Sequence, residues 1–392
     1  MKQRVIVAVA SVLLAALILL LLPVPGELQL PTLPPETTTP TTVPNPTAPK
    51  PGVVRLYICN QQQLEVFTTL AAEYTALTGT EVTILTPSKE GCRSTLRALM
   101  ETDAPPTVLC LHTQADLVAW QDSLLDLSNT ALESTLCSDD LGFRVDGKLL
   151  ALPMNLKAMG LLYNAELMSI ALTRNDVMDM GMTTAVQILK SNGLKPFATA
   201  ELSNVMGLYL LRNTDAATAK AFFDLYFANR VGSGAGLDQF LDEKAVFYFG
   251  TTDVYDQLSQ QPDRALALRN LDILPTGTAG GMHYICSAAW GVNAGARPAD
   301  MQVTLAFLHW LVTAKENAAA PVDQLQTLLP FADSAFYGNQ LEKKLRGYMK
   351  NESATLLWAG LEQGEQARLI ALCTYLLDPT EENWAAVAEL LP

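Results

Sequence analysis

The stretch from Phe143 to Met168, FRVDGKLLALPMNLKAMGLLYNAELM, restricts the fold more than any other part of the chain. Asp146-Gly147 lies between short apolar runs, the strongest local sign of a tight hairpin, because Gly accepts the positive φ that such a turn demands. The strand that follows, Leu149–Leu152, is expected to end at Pro153, which has no amide hydrogen to give to a central ladder. A second apolar strand, Gly160–Tyr163, then runs into Asn164, a preferred N-cap, ahead of the helix formers Ala165-Glu166-Leu167-Met168. Strand, proline, strand and Asn-capped helix together carry a chain out of one packed body and into another.

Upstream of this stretch, strands alternate with helices. Val53–Ile58 (VVRLYI) reads as a buried strand and leads into the polar loop Cys59-Asn60-Gln61-Gln62. Leu64, Phe67, Leu70, Ala71, Tyr74 and Leu77 recur at three- and four-residue steps, one buried helical stripe, and Gly79 stops it. Glu81–Leu85 is expected as a strand, Cys92–Met100 as a helix, and Thr107–Leu111 as a third strand introduced by Pro105-Pro106. Alternation at roughly thirty-residue intervals specifies a parallel α/β sheet with right-handed crossovers. A chain of 392 residues exceeds one ordinary core, so two domains are expected.

Downstream, Met178–Lys190 reads as a helix interrupted at Gly181, and Ala216–Ala228 as a strong amphipathic helix. Val231–Gly236 (VGSGAG) has a glycine spacing reminiscent of a phosphate cradle but lacks a preceding strand and a following cap, and reads as a loop. The segment 245–258 reads as strand, glycine turn and helix start; Leu271–Leu274 and Met282–Val292 read as strands and Thr304–Thr313 as a buried-face helix. Helices are expected to finish the chain.

The order DGK hairpin, apolar run, Pro153, apolar strand, Tyr163-Asn164 and helix resembles the lobe crossing of family 1 extracellular solute-binding proteins, the maltose-binding-protein-like group. Further points of similarity are the helix ending in Thr78-Gly79, Trp120 with the LLDLSN run from Leu124, the Leu274-Pro275 to Gly277 element and TLAFLHWLVT. The resemblance covers roughly residues 53 to 340 and implies an α/β periplasmic-binding-protein-like fold of two lobes joined by hinge crossings. Each lobe would be a mainly parallel sheet flanked by helices. It places 53–155 plus 287–328 in the first lobe and 156–286 plus 329–392 in the second, with Leu328–Phe331 as a third crossing. It also implies capture of a small solute in an interlobe cleft, delivery to the permease subunits of an ABC importer, and a monomer. A ligand-sensing or cell-surface binding ectodomain on the same scaffold is the alternative.

Residues 1–26 read as a targeting segment: Lys2 and Arg4 precede the uncharged run Val5–Leu22, whose eighteen residues border on both a signal-peptide core and a spanning helix. A cleaved signal and an uncleaved membrane anchor both remain open, and both put the rest at the extracellular face of the membrane or beyond it. No cysteine precedes Cys59, so the lipid-modified cysteine common in Gram-positive members of the family is missing. Residues 27–52 continue a Pro/Thr tether: ten of the 22 prolines fall between Pro23 and Gly52, a composition that favours extended polyproline conformations. The net charge is −14, which disfavours nucleic acid and anionic lipid surfaces as partners.

Six cysteines in an exported chain suggest disulfides. Cys59 with Cys92 is the best-motivated pair, since each follows one of two strands expected side by side; Cys110 with Cys137 and Cys286 with Cys373 are weaker candidates. No Cys or His spacing points to a metal, and no cofactor is expected. Of the three histidines, His309 reads as structural, whereas His112 and His283 follow a strand end and a Gly-Gly loop and are placed facing the cleft. None has an Asp or Cys partner at a recognisable spacing, and binding rather than catalysis is the expectation. Ligands of α/β sheets sit at strand C-terminal ends. That rule nominates Asn60, Gln61, Gln62, Lys89, Glu90, Thr113 and Gln114 from the first lobe, and Asn155 at the crossing. Thr251, Asp253 and Tyr255 come from the second lobe, with Tyr284 and Trp290 on the returning strand. Amides, carboxylates and aromatic rings in that mixture favour a carbohydrate.

Overall fold

The structure is a computed structural model. It describes residues 50–88, 91–198, 207, 210–212, 214–232, 236–242, 244–255, 270–275, 281–313, 329–332, 340–362 and 364–391. From Pro51 onward the chain forms one compact unit. Its first part follows the expected alternation: β1 (Val53–Tyr57), α1 (Leu64–Thr78), β2 (Glu81–Leu85), α2 (Cys92–Met100), β3 (Val108–Leu111) and α3 (Gln114–Trp120). β1 pairs in parallel with both β2 and β3. α1 buries Val66, Phe67, Leu70, Ala71 and Tyr74 and ends at Gly79 with φ 73°, a left-handed cap that glycine adopts without strain. Leu77 departs from the expected stripe and is 70% exposed.

The hairpin forms at Asp146 and Gly147, whose φ angles of 50° and 79° join β4 (Phe143–Val145) to β5 (Lys148–Asn164). The expected break at Pro153 is not there: β5 is one strand of 17 residues. The ladder to β8 is irregular on both sides of Asn155, first between Pro153 and Asn155 and then between Asn155 and Leu156. An irregularity of that kind accommodates a residue with no amide hydrogen inside a strand. At its far end Asn164 accepts hydrogen bonds from the amides of Glu166 and Leu167 and caps the short α4 (Ala165–Met168).

The middle of the chain is α5 (Arg174–Met180), α6 (Met182–Ser191), α7 (Ala216–Asn229), α8 (Gly236–Leu241), β6 (Phe247–Thr251), β7 (Leu271–Leu274) and β8 (Met282–Val292). Gly181, at φ 79°, divides α5 from α6 where the interruption was expected. α9 (Pro298–Thr313), α10 (Gln340–Asn351), β9 (Ala354–Trp358), α11 (Glu365–Leu377) and α12 (Glu381–Ala388) complete the described elements. β9 corrects the expectation of a purely helical C-terminal region, and it pairs in parallel with β8.

The sheet runs β2-β1-β3-β8-β5-β4, with β6 and β7 on β5 and β9 on β8. β5 and β8 are antiparallel to each other and tie the two halves together. Residues 289–292 of β8 pair with β3, whereas 282–286 pair with β9. The fold is thus a mixed α/β sheet flanked by helices. α9 packs on β1, and its Phe307 and Trp310 each lie 5.1 Å from the ring of Tyr74 on α1. The other half buries Tyr163, Phe197, Phe223, Tyr226, Phe247 and Tyr375 among its helices. Each such side chain contributes about 1.5–3 kcal/mol by leaving water.

Candidate functional site

The strand registers decide where the functional surface lies. In the first half, the C-terminal end of β3 sits opposite Ala289 of β8, and β1 runs parallel beside it. In the second half β6 runs antiparallel to β5, so that Thr251 at its C-terminal end faces Met159. β9 ends with Trp358 opposite Cys286. Strand C-terminal ends from both halves therefore converge on one place, the crossing formed by residues 154–159 of β5 and 284–289 of β8. Loops and helix N-termini at such ends are where α/β sheets meet their ligands.

Several of the nominated residues are there. Asn155 is half-buried on β5 opposite Ala288. Two residues on, Lys157 reaches Asp253 at 2.7 Å, and Asp253 also accepts a hydrogen bond from the Thr251 hydroxyl at 3.1 Å. Both members of the ion pair are between a third and two-fifths exposed. Tyr255, half-buried, lies in the turn of helix after them. On the first-half side Thr113 caps α3, and Gln114 accepts a hydrogen bond from the indole of Trp358 at 3.0 Å. Asn60 is half-buried and Gln61 exposed, directly after β1. Gln62 lies in the same short 3-10 turn, and Lys89 and Glu90 lie outside the described residues.

Two nominated aromatics are elsewhere. Trp290 is 3% exposed and packs against Phe67 of α1, and Tyr284 is fully buried in β8. Both belong to the framework of the crossing, not to its surface. Burial pushes the Tyr284 phenol well above the usual tyrosine range. His283, expected to face the cleft, is instead fully buried with neither ring nitrogen hydrogen-bonded. Lys157 and Trp358 were missed. Lys157 carried a signal, a cation inside an apolar strand four residues past the proline; Trp358 carried only its place at the end of a short apolar run.

The cysteines regroup. Cys59 and Cys92 are bridged, with Cα atoms 5.8 Å apart. The weaker pairs do not form: Cys110, Cys286 and Cys373 carry free thiols, and no bridge joins Cys110 to Cys137. Cys110 and Cys286 are buried, which pushes both thiols up to about 12. His112 stands beside Cys110, its Nε2 3.4 Å from the Cys110 sulfur and its Nδ1 2.8 Å from the carbonyl of Ser287 in the crossing. Away from this region, a cavity of about 590 Å³ lies between α1 and α9, lined by Tyr74, Leu132, His309 and Trp310 among others.

Antiparallel crossing strands, further strands of the same sheet on either side and polar side chains at the converging strand ends define a two-lobed α/β binding protein. The chain belongs to the bacterial extracellular solute-binding proteins, whose family model matches residues 69–345. The expected resemblance to family 1 holds in solved structures also. The bacterial solute receptor AcbH, with its exclusive preference for β-D-galactopyranose, superposes with a TM-score of 0.62 at 14% identity, covering 87% of this chain and 98% of that one. A family 1 protein from Alicyclobacillus acidocaldarius gives 0.62 at 14% identity, covering 88% and 98%. A sugar transporter from Rhizobium etli, in an open conformation, gives 0.59 at 14%, covering 86% and 98%. No curated protein matches by sequence.

Proposed function

We propose that the protein captures a carbohydrate at the β5–β8 crossing and delivers it to an ABC importer. The observation that carries this reading is the convergence of strand C-terminal ends from both halves on one polar crossing, where a guest would touch both. Contacts to both halves stabilise a closed state, and closure is a signal that a permease can read. The reading divides the chain into 53–155 plus 287–328 and 156–286 plus 329–392; the change of β8 from β9 to β3 between Cys286 and Ala289 supports a boundary there.

Asn60, Gln61, Gln114 and Asn155 would meet the ligand from the first half, and Lys157, Thr251, Asp253 and Tyr255 from the second. Amide and carboxylate groups in fixed positions suit the paired hydroxyls of a sugar, and the preferences of the structural neighbours point the same way. Catalysis fits the site poorly: the thiol against His112 is buried and held protonated, the wrong state for a nucleophile. Membership of an extracellular family supports placement outside the cytoplasmic membrane. There the Pro/Thr-rich composition of residues 27–52 would suit a tether to an N-terminal anchor. Among the described residues no helix is long and apolar enough to cross a membrane; Val5–Leu22 lies outside them.

Thermal melting of the purified chain against mono- and oligosaccharides tests the reading. A sugar that binds only the folded form stabilises it by about 2.7 kcal/mol at a hundred times its Kd. A flat response across the whole panel would remove the carbohydrate from the proposal.

A further inference from the structure

The side chains around His112 suit a second kind of ligand. The sulfurs of Cys59 and Cys110 and a ring nitrogen of His112 lie within 4.8 Å of one another. Cys92, bridged to Cys59, stands at the edge of this group, its sulfur 3.7 Å from His112 Nε2, against 3.4 Å for Cys110. A tetrahedral zinc ion with Zn–S near 2.3 Å and Zn–N near 2.05 Å places sulfur and nitrogen about 3.6 Å apart, between those two distances. Three sulfurs and one imidazole nitrogen make a Cys3His set, a donor combination that favours Zn²⁺ over harder cations.

The surroundings are those of a metal ligand shell. His112 Nδ1 is 2.8 Å from the Ser287 carbonyl. A carbonyl accepts only, so Nδ1 carries the proton and Nε2 turns its lone pair toward the sulfurs. That outer hydrogen bond orients an imidazole for metal binding. Cys92 opens α2, a nine-residue helix whose N-terminal dipole favours negative charge. The spacing of 59, 92, 110 and 112 hides the set in sequence, because β1, α2 and β3 bring it together only on folding.

We propose that, with the Cys59–Cys92 bridge open, Cys59, Cys92, Cys110 and His112 bind one thiophilic divalent cation of the Zn²⁺ class at the first-half side of the crossing. Bridge and metal exclude each other. In the dithiol form, the state in which the chain is synthesised, the cation displaces the protons of three thiols. Once two electrons and two protons have left Cys59 and Cys92 for an oxidant such as a disulfide compound, which is reduced to two thiols, only Cys110 and His112 remain as donors. The site therefore reports the redox state of the bridge beside the ligand cleft.

Titration of the full chain with Co²⁺ tests this. The bridge is opened anaerobically with a phosphine, which becomes the phosphine oxide as water supplies the oxygen and the two thiol protons. The reduced protein is expected to bind one Co²⁺, with near-ultraviolet thiolate charge-transfer absorption and intense tetrahedral bands in the visible. Loss of a ligand should exceed the roughly 10–100-fold cost of losing an outer-shell partner, so Cys110→Ser and His112→Gln should each weaken binding by more than about a hundredfold. Far-ultraviolet dichroism and melting of both variants establish that they fold, and the conservative His112→Gln keeps the argument testable if Cys110→Ser does not. The bridged protein should show no charge-transfer band. Absence of that band in the reduced wild type, or equal Co²⁺ affinity in the bridged protein or in a folded variant, would overturn the proposal.

Discussion

The indole nitrogen of Trp358, at the end of β9, donates a hydrogen bond to the side-chain oxygen of Gln114, at the start of α3, over 3.0 Å. Trp358 is 4% exposed and stacks on Phe143, ring centroids 3.9 Å apart. An element paired with one end of β8 thus grips an element beside the other end. Replacing Gln114 with Leu leaves a buried N–H without its acceptor, at a cost of about 1–3 kcal/mol. Urea unfolding should show that loss, and Trp358→Phe in the Gln114→Leu background should restore part of it. Additive losses would mean the two residues act independently.

Asp300 is fully buried at the start of α9. It accepts hydrogen bonds from the Val53 amide, from Arg55 at 2.9 Å and from Arg297. Burial opposes its charge, but Arg297, the Val53 amide and Arg55 together hold the carboxyl well below the usual carboxylate range. Its contribution is therefore complete above the unfolded value of about 3.9 and is lost as pH falls toward the depressed folded value. Asp300→Asn should cost about 3–5 kcal/mol at neutral pH by leaving Arg55 without its buried partner. It should also flatten the acid limb of the stability curve below about pH 4.

His283 works in the opposite pH range. It is fully buried with both ring nitrogens unpaired, and burial lowers its pKa below the ordinary histidine value. The unfolded chain then binds a proton that the folded chain refuses, so stability falls as pH drops below about 6.5, by at most about 1.4 kcal/mol per pH unit for one group. His283→Leu should reduce the loss in melting temperature between pH 7 and pH 5. An unchanged pH dependence would show that other groups control this range.

Much of the fold was legible in the residues. The glycine at 79, the Asp146-Gly147 turn, the Asn164 cap and the break at Gly181 each impose a local geometry that no tertiary contact overrides. Pro153 misled because its missing amide was weighed against a regular ladder, whereas the ladder is irregular there. β9 was overlooked because five residues of apolar sequence look alike in a strand and in a buried helix. The candidate site was legible by position: counting strand ends led to Asn155, Thr251 and Asp253, which the fold brings to the crossing. It was less legible by exposure, since Trp290 and Tyr284 alternate on β8 with residues of similar apolarity, and only packing decides which face is covered. The grouping of Cys59, Cys92, Cys110 and His112 has no sequence periodicity at all.

The Lys157–Asp253 pair joins β5 to the end of β6 at the crossing, and it is exposed enough to contribute only about 0–1 kcal/mol to folding. If the crossing is where the guest is held, Asp253 is worth more to binding than to stability. The direct measurement is calorimetric titration of wild type and Asp253→Ala with the sugar that most raises the melting temperature. The account predicts one site per chain in the wild type and an affinity at least tenfold weaker in the variant, with the ligand-free melting point nearly unchanged. Equal affinity in the two proteins, at equal stability, would contradict it by placing the ligand somewhere other than the crossing.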